Sequence, residues 1–291
     1  MIQDYVYCLA SSPDFKKDGL IFAAKKSGLF RSSDGGHHWE DAYASLDLKE
    51  NLPTTFVAVA MVNEMTYVFA GAEGRVLRSL DAGKTWKAAE LGKPAPVVTS
   101  LAVSPGFADD GTLLAATMQD GIFCSTDRGI SWTGWNFGLF DPNVNALACS
   151  VNSGTQVYLA GTQSSIFSSS NAGRSWKLLD FPIDPAPVTC LAVGPDGVIF
   201  AGTESKGLFC SRDEGQTWKR LTKGPVEQIL VDSKNNILII QDGKLCSSKN
   251  SGKTWQTRKV GKNSLTCSAA PLGLGSRNPL FAGAYGEVIT L

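Results

Sequence analysis

The sequence predicts an all-β fold: a single β-propeller of seven blades with an incomplete last blade, a six-bladed ring being the alternative. Three observations predict it. An eight-residue phrase, Ser-x-Asp/Asn-x-Gly-x-x-Trp, occurs six times; its copies begin at Ser32, Ser79, Ser125, Ser169, Ser211 and Ser248. Successive copies start 47, 46, 44, 42 and 37 residues apart, the spacing of a repeat array. Between phrases the chain breaks into short runs of alternating apolar residues bounded by turn residues, four runs per period.

These runs are strands A to D of each repeat. Strand A is expected over residues 6–10, 56–59, 98–103, 144–149, 188–193, 226–231 and 265–269. Strand B is expected over 20–24, 67–70, 113–117, 157–162, 198–203, 237–240 and 279–283. Strand C leads into each phrase and D starts at its tryptophan. The chain ends on a seventh A, B and C, the last over 287–291, with no phrase after it. A blade cannot bury both faces alone, so blades must stack and the ring must close. The single domain, 1–291, divides into blades at about 1–50, 51–93, 94–140, 141–184, 185–222, 223–261 and 262–291. No helical period is expected anywhere.

The phrase joins C to D as a hairpin loop. Asp34, Asp81, Asp127, Asn171, Asp213 and Asn250 take the third position, where a short polar side chain accepts bonds from nearby backbone N–H groups. Gly at the fifth position supplies a positive φ. Trp39, Trp86, Trp132, Trp176, Trp218 and Trp255 close each copy and pack between repeats. These twelve residues are assigned to structure. Trp135 is the one tryptophan outside the phrase and is expected on an outer strand.

The phrase resembles the Asp-box, or BNR repeat, of sialidases, sortilin-type receptors and photosystem assembly factors. Residues between phrases also match that repeat: Asn136, Gly138, Leu139, Val144, Leu147, Ala148 and the run from Tyr158 to Thr162. The resemblance covers nearly the whole chain and implies that the phrases lie on the lower, outer rim. Binding sites of such propellers lie on the opposite, upper face, built by B–C turns and D–A connections. It also implies a test for sialidase chemistry, which needs three converging arginines. Here Arg128, Arg174 and Arg212 fall inside phrases, Arg31 and Arg78 directly precede them, and only Arg75 is placed near the upper face. The Arg-Ile-Pro stretch of sialidases is missing, as is the arginine-rich patch of the assembly factors.

Composition narrows the rest. The 291 residues carry 27 basic and 27 acidic side chains, so no general nucleic-acid surface is expected. No apolar run reaches the length of a membrane span. The start, Met1 to Tyr5, lacks the basic, apolar and cleavage segments of a leader. As written the chain reads as cytoplasmic; removal of a leader would make it exported. The seven cysteines, at 8, 124, 149, 190, 210, 246 and 267, include no Cys-x-x-Cys and recur at matching strand positions, as small reduced core residues do. The only histidines, His37 and His38, are adjacent within one turn and cannot share a metal readily. No catalytic residue, metal or cofactor is assigned.

The expected function is a protein- or peptide-binding scaffold acting through the upper face. Its candidate contacts are Lys25, Lys26, Glu73, Asp120, Glu204, Lys206, Asp242 and Tyr285 on B–C turns. Asp47, Lys49, Glu50, Phe140, Asp141, Phe181 and Asp184 add the D–A connections. The alternative is a carbohydrate-active propeller, either a lectin or a glycosidase. A glycosidase needs two facing carboxylates, to be drawn from Asp120, Asp141, Asp184, Glu204 and Asp242.

Overall fold

Seven antiparallel sheets form in chain order, six of four strands and a last of three, so the ring has seven blades and the six-bladed alternative is excluded. This is a computed structural model, and it describes residues 4–152, 154–182, 186–260, 264–275 and 277–291. Within each four-stranded blade the strands run as a meander from A to D. The A strands are Val6–Ser11, Phe56–Val62, Val97–Val103, Val144–Asn152, Val188–Val193, Val226–Val231 and Cys267–Ala269. They stand around a central channel of about 710 Å³. The D strands are two to four residues long and mostly exposed, as in Glu40–Asp41 and Lys219–Arg220.

The core is divided among the seams between blades. Each seam holds one apolar cluster, built from the facing sides of two neighbouring sheets. Strand B is buried on both faces because it lies between A and C and between two blades. Its runs are therefore continuously apolar, as in Ile21 to Ala24 and Leu113 to Ala116. Each tryptophan of the repeat turn reaches the preceding blade. Trp86 Nε1 donates to the Ala42 carbonyl at 2.7 Å, and Trp176 Nε1 to the Trp135 carbonyl at 3.0 Å.

The ring closes without a fourth strand in blade 7, whose strands are Cys267–Ala269, Phe281–Gly283 and Val288–Thr290. Thr266 Oγ1 donates to the Val6 carbonyl at 2.6 Å. Gly286 N–H donates to the Asp4 carbonyl at 3.0 Å, and the rings of Tyr5 and Tyr285 meet edge-on at 4.5 Å.

Two short helices depart from the all-strand expectation. Phe15–Asp18 and Phe107–Asp110 each make a single turn in the A–B loops of blades 1 and 3. Their cause is local. Ser12 and Ser104 hydroxyls donate to Asp18 and Asp110 at 2.6 Å and accept the N–H groups of Asp14 and Gly106 at 3.0 Å. Gly19 and Gly111, at φ near 58° and 59°, then stop the turn in the left-handed region. A four-residue helix shows no periodicity, so pattern alone could not reveal it. A 3₁₀ turn over Ala44–Leu46 is short for the same reason.

Candidate functional site

The repeat turns are fully employed in their own structure. In the fifth copy, Asp213 accepts the Thr217 hydroxyl at 2.5 Å, the Thr217 N–H at 2.8 Å and the Ser211 hydroxyl at 2.8 Å. The Thr217 bonds, then Ser211, bring the Asp213 carboxyl down to about 2. In the second copy burial works upward, but Thr85 and Ser79 hold Asp81 at about 2 as well. Asn171 and Asn250 keep the same backbone bonds and turn their amide N–H toward Ser175 and Thr254. Such carboxylates stay ionised and saturated with donors, which suits a turn and not acid–base work. His38 Nδ1 lies 2.6 Å from Asp34, inside the first turn.

The upper-face candidates separate into three groups. Lys26, Asp47, Lys49, Glu50, Glu73, Glu204, Lys206 and Asp242 are exposed. Asp242 pairs with Lys244 at 3.2 Å. Others serve the scaffold. Lys25 lies 3.9 Å from Asp4 and 4.8 Å over the Phe30 ring. Asp120 lends its carbonyl to the Asn136 amide at 3.2 Å. Asp141 accepts the Ser164 N–H at 2.9 Å and hydroxyl at 2.7 Å, which ties a D–A connection to the next B–C turn. Burial works against that carboxylate, yet these bonds hold it below the usual range. Phe181, expected on the rim, is buried instead, 5.4 Å from the Phe209 ring and 4.9 Å from Trp218. Asp184 lies outside the described residues.

Blade 3 carries several exposed apolar side chains. Phe140 is 82% exposed and Met118 49%. Met118 pairs across the sheet with Val97, itself 39% exposed, and Gly121 N–H donates to the Pro142 carbonyl at 2.9 Å. The B–C turn, the start of strand A and the D–A connection are thus joined in one sector. Phe137, on the same connection, is 81% exposed. Trp135 departs from its expected exposed place: it is half-buried, with the Arg174 guanidinium 5.5 Å from its ring. Phe137, Met118 and Val97 were not expected from sequence, because each reads as an ordinary strand end or repeat residue.

The channel wall shows a second pattern. Thr55, Thr99, Asn145, Thr189 and Thr266 hold equivalent places on strand A. Each donates to a carbonyl of the next blade: Val98 at 2.6 Å, Val144 at 2.5 Å, Val188 at 3.1 Å, Val226 at 2.5 Å and Val6 at 2.6 Å. Tyr7 and Glu227 take that place in blades 1 and 6. Tyr7 is 43% exposed and stacks 6.2 Å from Tyr5. Glu227 is the one charged side chain among the described residues lining the channel. Burial pushes its carboxyl up, against the pull of nearby backbone N–H groups. Both were legible: in a repeat alignment they break a Thr/Asn column.

Among the described residues no group of three His, Cys, Asp or Glu could hold a metal ion. No helix is long and apolar enough to cross a membrane.

Comparison with known proteins places this geometry. Residues 8–137 match the family model of the photosynthesis system II assembly factor YCF48. Residues 141–269 match the model of the DUF6242 beta propeller domain. No curated protein matches the sequence. Among solved structures, YCF48 from Cyanidioschyzon merolae is 16% identical with a TM-score of 0.69, over 99% of this chain and 94% of that one. YCF48 bound to D1 peptide is 16% identical with a TM-score of 0.71, over 99% and 91%. The GH74 xyloglucanase from Xanthomonas campestris is 18% identical with a TM-score of 0.75, over 99% of this chain and 52% of that one. The chain spans only 38% of the extracellular domain of BT4673 from B. thetaiotaomicron, which it matches with a TM-score of 0.75 at 15% identity. At such identities the likeness is one of fold.

Proposed function

We propose that this chain, whose repeats and fold are those of BNR-type β-propellers, is a non-enzymatic scaffold that binds a protein or peptide through its upper-face loops. The observation that carries this reading is the blade 3 sector. Met118 and Val97 form an exposed cross-strand pair, and Phe140 is exposed on the connection bonded to the same B–C turn, its ring 6.5 Å from Phe167; exposed apolar side chains gathered in one sector suit an interaction site. Exposed charges of both signs on the blade 1–2 connection, Asp47, Lys49 and Glu50, add a polar rim. A propeller of the same fold, YCF48, has been solved bound to D1 peptide, which supports a peptide partner. Seven unpaired thiols suit a reducing compartment.

The test compares wild type with Met118→Ser/Phe140→Ser and with Asp47→Ala/Lys49→Ala/Glu50→Ala. A protein captured from the native host is then titrated against each purified chain by calorimetry. Loss of heat with either upper-face variant, at unchanged melting temperature, is the expected result. Equal affinity for all three chains would remove the upper face from the proposal. The second reading, a carbohydrate-active propeller, draws on the xyloglucanase likeness and on Glu227 in the channel. A retaining or inverting glycosidase uses two carboxylates, so turnover of xyloglucan oligosaccharides that is lost in Glu227→Gln would favour it.

A further inference from the structure

The seams between blades are filled unequally, and the inequality has a pattern. One position on strand B faces the next blade. It is Phe22, Phe69, Leu114, Leu159, Phe200, Leu238 and Phe281 in turn, each paired to the equivalent residues of A and C. Phenylalanine fills four seams at this level. A fifth, behind Leu114, is filled from the next blade by the fully buried Tyr158. Leucine alone remains between blades 4 and 5 and between blades 6 and 7. Those two seams open at the lower face as clefts of about 510 and 420 Å³. Clefts of similar size also open beside Phe22 and Phe69, but those are lined largely by charged side chains.

Elsewhere the chain supplies its own plug at this level. Phe107, carried on the single turn of blade 3, sits 5.6 Å from the Tyr67 ring and 5.7 Å from Phe69. Phe15 sits 5.7 Å from Phe281 in the same way. The cleft between blades 6 and 7 is floored by Leu238, Leu245 and Leu280, and the A–B loop of blade 7 supplies the smaller Leu274 where the loops of blades 1 and 3 supply a phenylalanine. Its rim is basic: Lys249 and Arg258 are exposed there, and no acidic side chain is among the described lining residues. The cleft between blades 4 and 5 has Lys177, Asp180 and Glu214, both signs together.

We propose that the cleft between blades 6 and 7 is a peptide-binding site for an acidic segment of a partner protein, which inserts one aromatic side chain as Phe107 inserts between blades 2 and 3. The plug segment of blade 3 shows what fits, since Phe107 is followed by Asp109 and Asp110 on the same turn. Lys249 and Arg258 face carboxylates so placed at the cleft rim. The site lies opposite the upper-face loops and does not rest on their role.

The experiment uses the full chain and a fluorescein-labelled peptide, Ser-Pro-Gly-Phe-Ala-Asp-Asp-Gly, the sequence of residues 104–111. Binding is read by fluorescence anisotropy at low and high salt. Replacing the peptide's phenylalanine by alanine should weaken binding about tenfold or more, since the ring's burial is the anchor. Leu238→Phe copies the filled seams and should abolish binding while the melting temperature holds or rises. Leu159→Phe, the matched change between blades 4 and 5, should leave binding unchanged. Lys249→Glu/Arg258→Glu, a surface change that spares the core, should weaken binding at low salt and less so at high salt. No binding by wild type at millimolar peptide overturns the proposal. So does unchanged binding by Leu238→Phe, or loss of binding in Leu159→Phe alone.

Discussion

Phe107→Ala tests the plug directly. Phe107 is buried, and both aromatic neighbours meet it edge-on at under 6 Å. Its loop cannot follow the missing ring inward. Asp110 is held by Ser104 at 2.6 Å and by Gln156 at 3.0 Å, and Arg128 holds the Ala108 carbonyl at 2.7 Å. A pinned loop leaves the cavity open, which puts the loss near the middle of the usual range for a buried phenylalanine, about 4 kcal/mol. Unfolding entropy of ~2.1 cal/mol/K per residue gives ~0.6 kcal/mol/K for 291 residues, so the melting temperature should fall by about 7 °C. Phe15→Ala should lose less, about 3 kcal/mol. It has one aromatic neighbour, and its Asp18 lacks the bond that Gln156 gives Asp110. Urea unfolding followed by tryptophan fluorescence measures both. A loss below about 1 kcal/mol for Phe107→Ala would mean that the seam closes without its plug, and the contrast between filled and open seams would fail.

Other consequences are open to simpler measurements. Asp81 and Asp213 titrate near 2 in the fold against 3.8 unperturbed. A depressed folded pKa stabilises above the unfolded value, and that stability is lost as pH falls from about 4 through about 2. Melting temperatures followed down to pH 2 should therefore drop, and Asp81→Asn/Asp213→Asn should flatten that drop; an identical acid limb would refute the assignment. Thr266→Val removes the donor to Val6 at the closing seam and should cost about 1 kcal/mol, seen as a lower urea midpoint. Thr189→Val, at an interior seam, should cost a similar amount. Burial pushes the thiols of Cys8 to about 11 and of Cys124, Cys149 and Cys190 to about 12. The buried Cys8 and Cys124 should resist a thiol reagent at neutral pH and react once the chain is unfolded; rapid native labelling of either would contradict the burial.

What repeats was legible, and what does not repeat was hidden. The turn at Asp34 and its five counterparts, the strands around it and the seventh A–B–C run at the chain's end all announce themselves by periodicity. Phe140 and Phe181 look alike in sequence, each within two residues of a proline in a D–A connection, yet one is exposed and the other lies on Phe209 and Trp218. The difference is set by what the next blade offers, which is tertiary. Asp141 was misleading for a related reason, since its partner Ser164 is 23 residues away. Within the turn itself the fourth residue also takes positive φ, at 60° for Ala82, 60° for Arg128 and 59° for Glu214. Only the first copy has glycine there, so residue type could not reveal a conformation that the bonds from Ser and Asp impose.

Blade 7 has three strands, and its seam with blade 1 is joined at the inner strands, the upper loops and the lower face. Trp86 donates to the Ala42 carbonyl of blade 1 and Trp176 to that of Trp135 in blade 3. Trp39 and Trp218 instead donate to their own turns, to Gly36 and Gly215 at 3.1 Å. The closing contacts lie elsewhere in the seam. Thr266 joins the inner strands, Tyr5 and Tyr285 join the upper loops, and Phe15 plugs the lower face against Phe281. The seam on the other side of blade 7 has none of these devices. Glu227 stands where a threonine would donate, and Leu238 stands where a phenylalanine would fill. Gln228 bridges the seam, accepting from Ser268 and donating to its carbonyl at 2.9 Å, and Leu265 N–H donates to the Gly243 carbonyl at 3.0 Å. The seam to blade 6 is packed by aliphatic side chains, Leu274 and Leu280 against Leu238 and Leu245, and a cleft of about 420 Å³ stays open beside them.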